Sequence, residues 1–206
     1  MVPSRRQFLL GTLAGVTCLA GCSGTPTREA DDATDRPHTG SDTDPEVQQS
    51  RNLDEEPVIR ELGDDGARAL NRDLIHDPAR LDDLEFSPGV PGSDVESTWA
   101  FLEDTDYETE TIYVTHVSIE SCYRYHIHSV SWDASGPRVD FEYCRELRPP
   151  DVACRATTRE SLGLFFRLPV ALDTELTGGG SSGRSPCRRT DTDWAVIDAN
   201  TSTEGQ

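Results

Sequence analysis

The stretch that decides the fold is Tyr123-Arg124-Tyr125-His126-Ile127-His128-Ser129-Val130-Ser131-Trp132, followed by Arg138-Val139-Asp140-Phe141-Glu142-Tyr143-Cys144-Arg145-Glu146. Apolar and polar side chains alternate along both segments, as they do in strands with one buried face. The residues between them, 133–137, include serine, glycine and proline, which are typical of a tight turn. The sequence therefore predicts an antiparallel hairpin.

The side-chain pattern also predicts the register of this hairpin. Alternation breaks between Ile127 and Val130, and a β-bulge at His128-Ser129 restores one inward face. The apolar pairs across the hairpin are then Trp132 with Val139, Val130 with Phe141, and Ile127 with Tyr143. The outer face places Arg124 opposite Glu146 and His126 opposite Cys144. Apolar side chains face apolar ones and a cation faces a carboxylate, which favours this register.

Further short strands are predicted on both sides of the hairpin. The candidates are Thr98–Leu102, Thr109–Ile119, Ser161–Val170 and Asp193–Asp198. Short strands without intervening helices predict a mostly β fold, an antiparallel β-sandwich or partly open barrel of about 5–7 strands. A short helix is expected before the sheet, because Asp77 can cap the segment that begins at Pro78 and ends near Leu84. The glycine-rich run 177–183 is expected to be a flexible loop.

The N-terminus carries an export pattern. Arg5 and Arg6 are followed by Phe8 and Leu9, which matches a twin-arginine signal, an address read by an export receptor. The apolar run after them is about 13 residues, long enough for a signal peptide and shorter than the roughly 20 residues that span a bilayer. Residues 1–21 are therefore interpreted as a signal peptide.

The end of this signal resembles the lipobox of lipoproteins. Leu19-Ala20-Gly21 precedes Cys22, and the resemblance implies cleavage before Cys22 and lipidation of its thiol. Two acyl chains hold a protein stably on a membrane, whereas one holds it only marginally. We therefore expect an anchor of the diacyl type on the outer face of the cell membrane. The alternative is an ordinary signal peptide that is cut elsewhere.

Composition divides the rest of the chain into three parts. Residues 22–56 are rich in Asp, Ser, Thr and Pro, and are expected to form a disordered acidic tether. Residues 57–198 form the predicted β domain, and order is expected to begin near Pro57. Residues 199–206 are a predicted disordered tail, which includes a glycosylation sequon at Asn200.

The charge of the chain excludes several functions. The formal net charge is −19 and all 19 basic residues are arginine. No basic stripe appears, so a nucleic-acid partner is not expected.

Without lysine, neither a Schiff base nor a Walker-type phosphate loop can form. The letters GxSxG occur only at Gly179-Gly180-Ser181-Ser182-Gly183, and no helical segment follows them, so the nucleophile elbow of a hydrolase is not expected. No catalytic residue and no cofactor is predicted, and the acidity is typical of proteins that work in concentrated salt.

Four cysteines follow the anchor, and an even number in an exported chain predicts disulfides. In the hairpin register Cys122 lies opposite Arg148, too far along the strand from Cys144 for a bond between them. Cys154 follows in the loop at the same end of the sheet. The predicted pairs are Cys122–Cys154 and Cys144–Cys187. The pairs Cys144–Cys154 and Cys122–Cys187 remain an alternative.

A metal site is the rival interpretation of the same strands. His116, His126 and His128 lie on neighbouring predicted strands with Glu142 and Cys144, and imidazole with thiolate suits zinc or copper. No CxxC or HxxxH spacing accompanies them. A metal-binding or metal-dependent envelope protein is therefore the alternative function. The aromatic residues Trp99, Tyr113 and Tyr123 are candidates for a binding face or for packing within the fold.

Residues 104–169 resemble the C-terminal β domain of the PrcB family, whose members are associated with an envelope protease. The similarity lies in Asp104-Thr105-Asp106-Tyr107, Thr111-Ile112-Tyr113-Val114, the segment 123–130, and Leu164-Phe165-Phe166-Arg167-Leu168-Pro169. The whole layout also resembles small lipoproteins of halophilic archaea. These resemblances imply a non-catalytic, lipid-anchored cell-surface protein whose β domain binds an envelope protein partner or a ligand, and they transfer no active-site residues.

Overall fold

The computed structural model describes residues 40–187 except Ala134, Pro137 and Thr174. Within these residues the chain forms eleven strands, a 3₁₀ helix and an α-helix. In order they are β1 (Gly40–Asp42), β2 (Val47–Asn52), β3 (Ile59–Gly63), β4 (Gly66–Ala69), β5 (Asp73–Ile75), the 3₁₀ helix (Pro78–Asp83), β6 (Leu84–Phe86), α1 (Gly92–Glu103), β7 (Thr111–Glu120), β8 (Tyr123–Asp133), β9 (Arg138–Leu147), β10 (Arg159–Leu168) and β11 (Gly178–Arg184).

The strands form three sheets. Sheet A has the order β1-β8-β9-β11, sheet B the order β2-β10-β7-β5, and sheet C the order β4-β3-β6. All described strand pairs are antiparallel except β9 with β11, which is parallel. Sheets A and B pack face to face, so the mostly β, sandwich-like fold class is confirmed. The eleven described strands exceed the predicted 5–7.

The main core lies between sheets A and B. Sheet A contributes Val130, Trp132, Val139 and Phe141, and sheet B contributes Leu74, Tyr113, Ile119, Leu162, Leu164, Phe166 and Leu168. These side chains alternate along their strands with residues that point the other way. The tilted rings of Phe141 and Phe166, with centroids 5.0 Å apart, join the two sheets at the centre.

Sheet B is covered on its second face as well. Ile112, Val114 and Phe165 point away from sheet A and pack with residues of sheet C and α1. Strand β10 is therefore buried along almost its whole length, which explains its continuous apolar sequence Leu164-Phe165-Phe166. The molecule is a sandwich with an additional layer on sheet B.

The predicted hairpin is confirmed residue by residue. Trp132 pairs with Val139, Val130 with Phe141, Ile127 with Tyr143, His126 with Cys144, and Arg124 with Glu146. The register shifts between Ile127 and Ser129, so His128 is the extra residue of the bulge. The predicted strands on β7 and β10 also exist, with ends displaced by one or two residues. The predicted short helix is the 3₁₀ helix, capped by the Asp77 carboxylate, which accepts from the backbone N–H of Ala79.

The predicted strand Thr98–Leu102 is wrong, because these residues lie inside α1. Val95, Thr98, Trp99 and Leu102 are spaced by three, one and three residues, which is the spacing of one helix face. Thr98 and Leu102 are the buried residues of the helix. A window of five residues is too short to distinguish a strand period of two from a helical period.

The boundary of the tether is also corrected. The range 22–56 includes β1 and β2, which belong to the sandwich: β1 pairs with β8 and β2 pairs with β10. Strand β2 reads Val47-Gln48-Gln49-Ser50-Arg51-Asn52, almost without apolar side chains, yet Ser50 and Asn52 are buried. Hydrogen bonds rather than apolar burial hold it, since Asn52 donates to the Pro88 carbonyl at 3.1 Å. Order therefore begins well before Pro57.

The glycine-rich run 177–183 is not a loop, because Gly178–Arg184 forms β11 at the edge of sheet A. The remaining predictions fall outside the described residues. These are the signal peptide, Cys22, residues 23–39 of the tether, the strand Asp193–Asp198 and the tail.

Candidate functional site

Both predicted disulfides are present. Cys122 and Cys154 have α-carbons 5.0 Å apart, and Cys144 and Cys187 have α-carbons 4.9 Å apart. The first bond ties the loop after β9 to the start of β8, and the second ties the end of β11 to β9. All four cysteines of residues 40–187 are thus bonded, and the alternative pairing is excluded.

The structure does not bring the three candidate histidines together. His126 and His128 are neighbours on β8, with ring centroids 5.0 Å apart. His116 lies on β7 in sheet B, where its Nε2 accepts the backbone N–H of Val58 at 3.0 Å. Cys144, the candidate thiolate, is in a disulfide. Among the described residues no group of three potential ligands could hold a metal ion, so the predicted set of three histidines is wrong.

His116 has a structural environment instead. Burial lowers the pKa of its imidazole to about 4, against a smaller opposing effect of the Leu70 backbone. Nδ1 is buried and makes no hydrogen bond of good geometry with the described residues. Because Nε2 accepts a hydrogen bond, the neutral ring carries its proton on Nδ1. His116 therefore links the segment before β3 to sheet B in its uncharged form.

A groove between α1 and the 3₁₀ helix is the candidate site. It consists of two adjoining hollows of about 470 and 480 Å³, which share Leu81 and Glu103. Leu81 from the 3₁₀ helix, Trp99 from α1 and Tyr107 from the segment after it are half-buried and form its apolar floor. We call this surface the α1 groove.

Packing beneath the groove fixes the floor. Trp99 meets Phe86 of β6 edge to face, with centroids 5.4 Å apart. The hydroxyl of Tyr107 donates to the carbonyl of Leu102 at 3.0 Å, and burial raises the pKa of Tyr107 to about 12. The aromatic side chains are therefore held in place while one side of each faces the groove.

Arg167 of β10 holds the C-terminal end of α1 against sheet B. Its guanidinium lies over the ring of Phe101, 4.4 Å from the centroid, and donates to the Phe101 carbonyl at 2.8 Å. Such a cation stabilises the negative end of a helix dipole. The groove wall formed by α1 is thus anchored at the end next to Tyr107.

The rim of the groove is acidic. Its carboxylates, all exposed, belong to Asp82, Glu96, Glu103, Asp106 and Glu108. None of them forms an ion pair with any residue in the described part of the chain. As far as the described residues show, the rim is thus a surface of uncompensated negative charge around apolar side chains.

The three aromatic residues considered for a binding face lie in three different environments. Tyr113 is buried in the main core. Tyr123 is half-buried, with the Arg145 guanidinium 4.9 Å from its ring centroid. Trp99 lines the α1 groove. The sequence did not distinguish them, and it did not single out Leu81 or Tyr107; the helical spacing around Trp99 was the signal that could have located the groove.

Comparison of the chain with protein-family models, with curated proteins and with solved structures finds no match. The resemblance to the PrcB family therefore stays a prediction. Within residues 40–187, no helix combines the length and the hydropathy needed to cross a bilayer.

Proposed function

We propose that this protein is an exported, lipid-anchored cell-surface protein whose β domain binds a basic segment of an envelope protein in the α1 groove, without catalysis. The observation that carries the proposal is the apolar floor of Leu81, Trp99 and Tyr107 inside a rim of carboxylates without ion-pair partners among the described residues. Apolar surface rimmed by polar groups is typical of protein interaction sites.

The apolar floor and the acidic rim of the α1 groove have different roles in the proposed binding. Burial of apolar surface gives affinity that concentrated salt does not weaken. At about 1 M salt the Debye length is near 3 Å, so the rim carboxylates act only on charges that touch them. They select a partner that places arginine or lysine beside an apolar anchor residue. Trp99 is the expected energetic centre, because tryptophan is enriched at such centres.

The location of the proposed binding rests on the sequence. Arg5 and Arg6 with Phe8 and Leu9 support export, and Cys22 supports a lipid anchor. The two disulfides are compatible with folding outside the cytosol. The resemblance of residues 104–169 to an accessory domain supports a role in binding.

Site-specific photo-crosslinking in membranes at native salt tests the proposal. A photoreactive amino acid at position 82, on the groove rim, is expected to capture a protein through a peptide that carries arginine or lysine beside an apolar residue. The matched control is the same probe at Leu62, which is exposed on sheet C, 47% of its surface being accessible. Reversal of the rim charge by Glu96→Arg and Glu103→Arg should abolish capture without affecting the fold.

Two results would overturn the binding role. One is equal capture from positions 82 and 62, and the other is capture that survives both charge reversals. The anchor is tested separately: Cys22→Ser should release the protein from the membrane fraction, and a variant that stays fully membrane-bound contradicts the lipid anchor.

A further inference from the structure

A second cleft lies away from the α1 groove. Its volume is 760 Å³, and its walls come from the β4–β5 segment, the 3₁₀ helix and the segment before β11. We call it the arginine cleft. The residues that matter for its chemistry are Arg68, Asn71, Arg72, His76, Arg80 and Glu175.

Two of its arginines belong to a closed ring of ion pairs. Arg80 contacts Glu61 at 2.5 Å and Asp73 at 3.1 Å, and Arg68 contacts Asp73 at 2.9 Å and also pairs with Glu61. Hydrogen bonds from Arg80 and Arg68 hold the pKa of Glu61 below its ordinary value, although burial opposes them. Two cations and two carboxylates thus compensate one another and form a fixed wall.

Arg72 is not part of this ring. It is exposed, lies in the left-handed region with φ 55°, and forms no ion pair with the described residues. Left-handed backbone is unfavourable for any residue with a β-carbon, and such strain is concentrated at binding sites. The chain therefore keeps a long cationic side chain at a position whose backbone suits glycine.

Asn71 supplies a second donor beside Arg72. Its Oδ1 accepts the backbone N–H of His116 at 2.9 Å and the hydroxyl of Thr115 at 3.3 Å. A backbone N–H can only donate, so the orientation of the amide is fixed and Nδ2 carries the free donors. Nδ2 donates to no group in the described part of the chain. As far as the described residues show, the guanidinium of Arg72 and the oriented amide of Asn71 thus both keep unused donors in the lining of the cleft.

Glu175 is the complementary group. It lines the same cleft, is exposed, and has no ion-pair partner among residues 40–187 as described, Arg72 included. Three arginines and three carboxylates therefore line the cleft, and besides the compensated ring Arg72 and Glu175 are left without an ion-pair partner among the described residues.

We infer that the arginine cleft binds a small zwitterion, an α-amino acid, whose carboxylate is held by Arg72 and Asn71 and whose ammonium group is held by Glu175. A guanidinium matches a carboxylate with two parallel hydrogen bonds. A phosphate dianion fits less well, because the carboxylate of Glu175 lines the same cleft without an ion-pair partner among the described residues and would repel it. Leu176, which is half-buried against the main core, lines the same cleft and suits an apolar side chain. This inference is independent of the partner proposed for the α1 groove.

Calorimetric titration in concentrated potassium chloride tests it, with leucine, acetate and methylamine as probes. Leucine is expected to bind in the millimolar range or tighter. Arg72→Gly should weaken leucine binding at least tenfold. Glu175→Gln should weaken leucine binding and leave any acetate binding unchanged, which separates recognition of a zwitterion from recognition of a carboxylate alone.

Glu55→Gly is the matched control, because Glu55 is the other described non-glycine residue with positive φ, at 60°, and does not line the cleft. Both glycine variants should retain the thermal stability of the parent, and only Arg72→Gly should lose binding. The inference is overturned if leucine does not bind at tens of millimolar, if Arg72→Gly binds as well as the parent, or if Glu55→Gly loses binding equally.

Discussion

The ring of Tyr143 on β9 lies directly over the α-carbon of Gly183 on β11, in the space that a β-carbon at position 183 would occupy. Tyr143 also stacks on Tyr125 of β8, with ring centroids 4.1 Å apart. At the opposite edge of sheet A, Trp132 covers Gly40 of β1 in the same way. Both edge strands of this sheet are thus held by an aromatic ring that lies on a glycine.

Gly183→Ala should therefore loosen β11. The new methyl group cannot share the space of the Tyr143 ring, so we expect a loss of about 2 kcal/mol in the free energy of unfolding. Denaturant unfolding and amide hydrogen exchange of residues 178–184 measure the effect. Gly178→Ala is the control, since its β-carbon would lie 3.6 Å from the Arg138 guanidinium, an ordinary contact. Equal losses in the two variants would contradict this account.

Removal of either disulfide should destabilise the domain, with different local effects. The bonds span 32 and 43 residues, and each contributes about 4 kcal/mol in the chain-entropy model. The double variant Cys144→Ala/Cys187→Ser should also lose hydrogen-exchange protection in β11. Cys122→Ala/Cys154→Ala should keep it. If β11 stays protected without the Cys144–Cys187 bond, pairing with β9 alone is sufficient to hold it.

The hairpin could be predicted because its information is local. Alternation, the bulge and the charge pair Arg124–Glu146 all indicate one register, and that register then selects the disulfides. Strands β2 and β11 lack this information. Ser50 and Asn52 of β2 are buried and held by hydrogen bonds, and the glycines of β11 pair with β9 beside Tyr143 and the Cys144–Cys187 bond. Polar and glycine-rich composition suggested disorder for both.

The α1 groove and the arginine cleft could not be predicted for a different reason. Each depends on elements that are distant in sequence, because Leu81 lines the α1 groove with Trp99 and Tyr107, and Glu175 lines the arginine cleft with Arg72. In a chain with 38 acidic residues, no single carboxylate stands out. Only the three-dimensional arrangement separates the carboxylates with arginine partners from those without.

The ion pair between Arg51 and Glu160 should be important for stability. Its N–O distance is 2.7 Å and the two side chains are only 13% and 6% exposed. Glu160→Ala leaves the Arg51 charge buried without its carboxylate, beside Arg148, whose pKa is already lowered by burial and by Arg51. We expect a loss of about 3–5 kcal/mol.

A double variant without either charge is compared with Glu160→Ala. Arg51→Met/Glu160→Leu removes both charges and should recover most of the lost stability. The pair Arg124–Glu146, with side chains 51% and 32% exposed, serves as the control, and Glu146→Ala should cost less than about 1 kcal/mol. A similar loss in Glu160→Ala and Glu146→Ala would show that burial of the first pair is unimportant.

His116 should make stability depend on pH in a defined range. Its folded-state pKa is about 4, below the ordinary value of 6.5, so the unfolded chain binds this proton more readily. The depressed pKa therefore contributes up to about 3 kcal/mol to the free energy of unfolding. This contribution is fully present above pH 6.5 and is lost as the pH falls through 4. His116→Gln keeps an acceptor for the Val58 N–H and cannot be protonated, so its stability should fall less over this range. His76→Gln, at an exposed histidine, should behave like the parent; a parallel fall in all three proteins would contradict this role.

The short pairing of β1 determines how the domain responds to a pulling force. It pairs with β8 over three residues only, none of them buried, whereas β2 pairs over six residues and carries Arg51. A pulling force applied at the N-terminal side of the domain is therefore expected to separate β1 from β8 first. Detachment of residues 40–45, before Glu46 and its bonds to Arg167 of β10, lengthens the chain by roughly 20 Å while the sandwich survives. Detachment also exposes the indole of Trp132 to solvent, so the fluorescence of Trp132 would change before the rest of the sandwich unfolds.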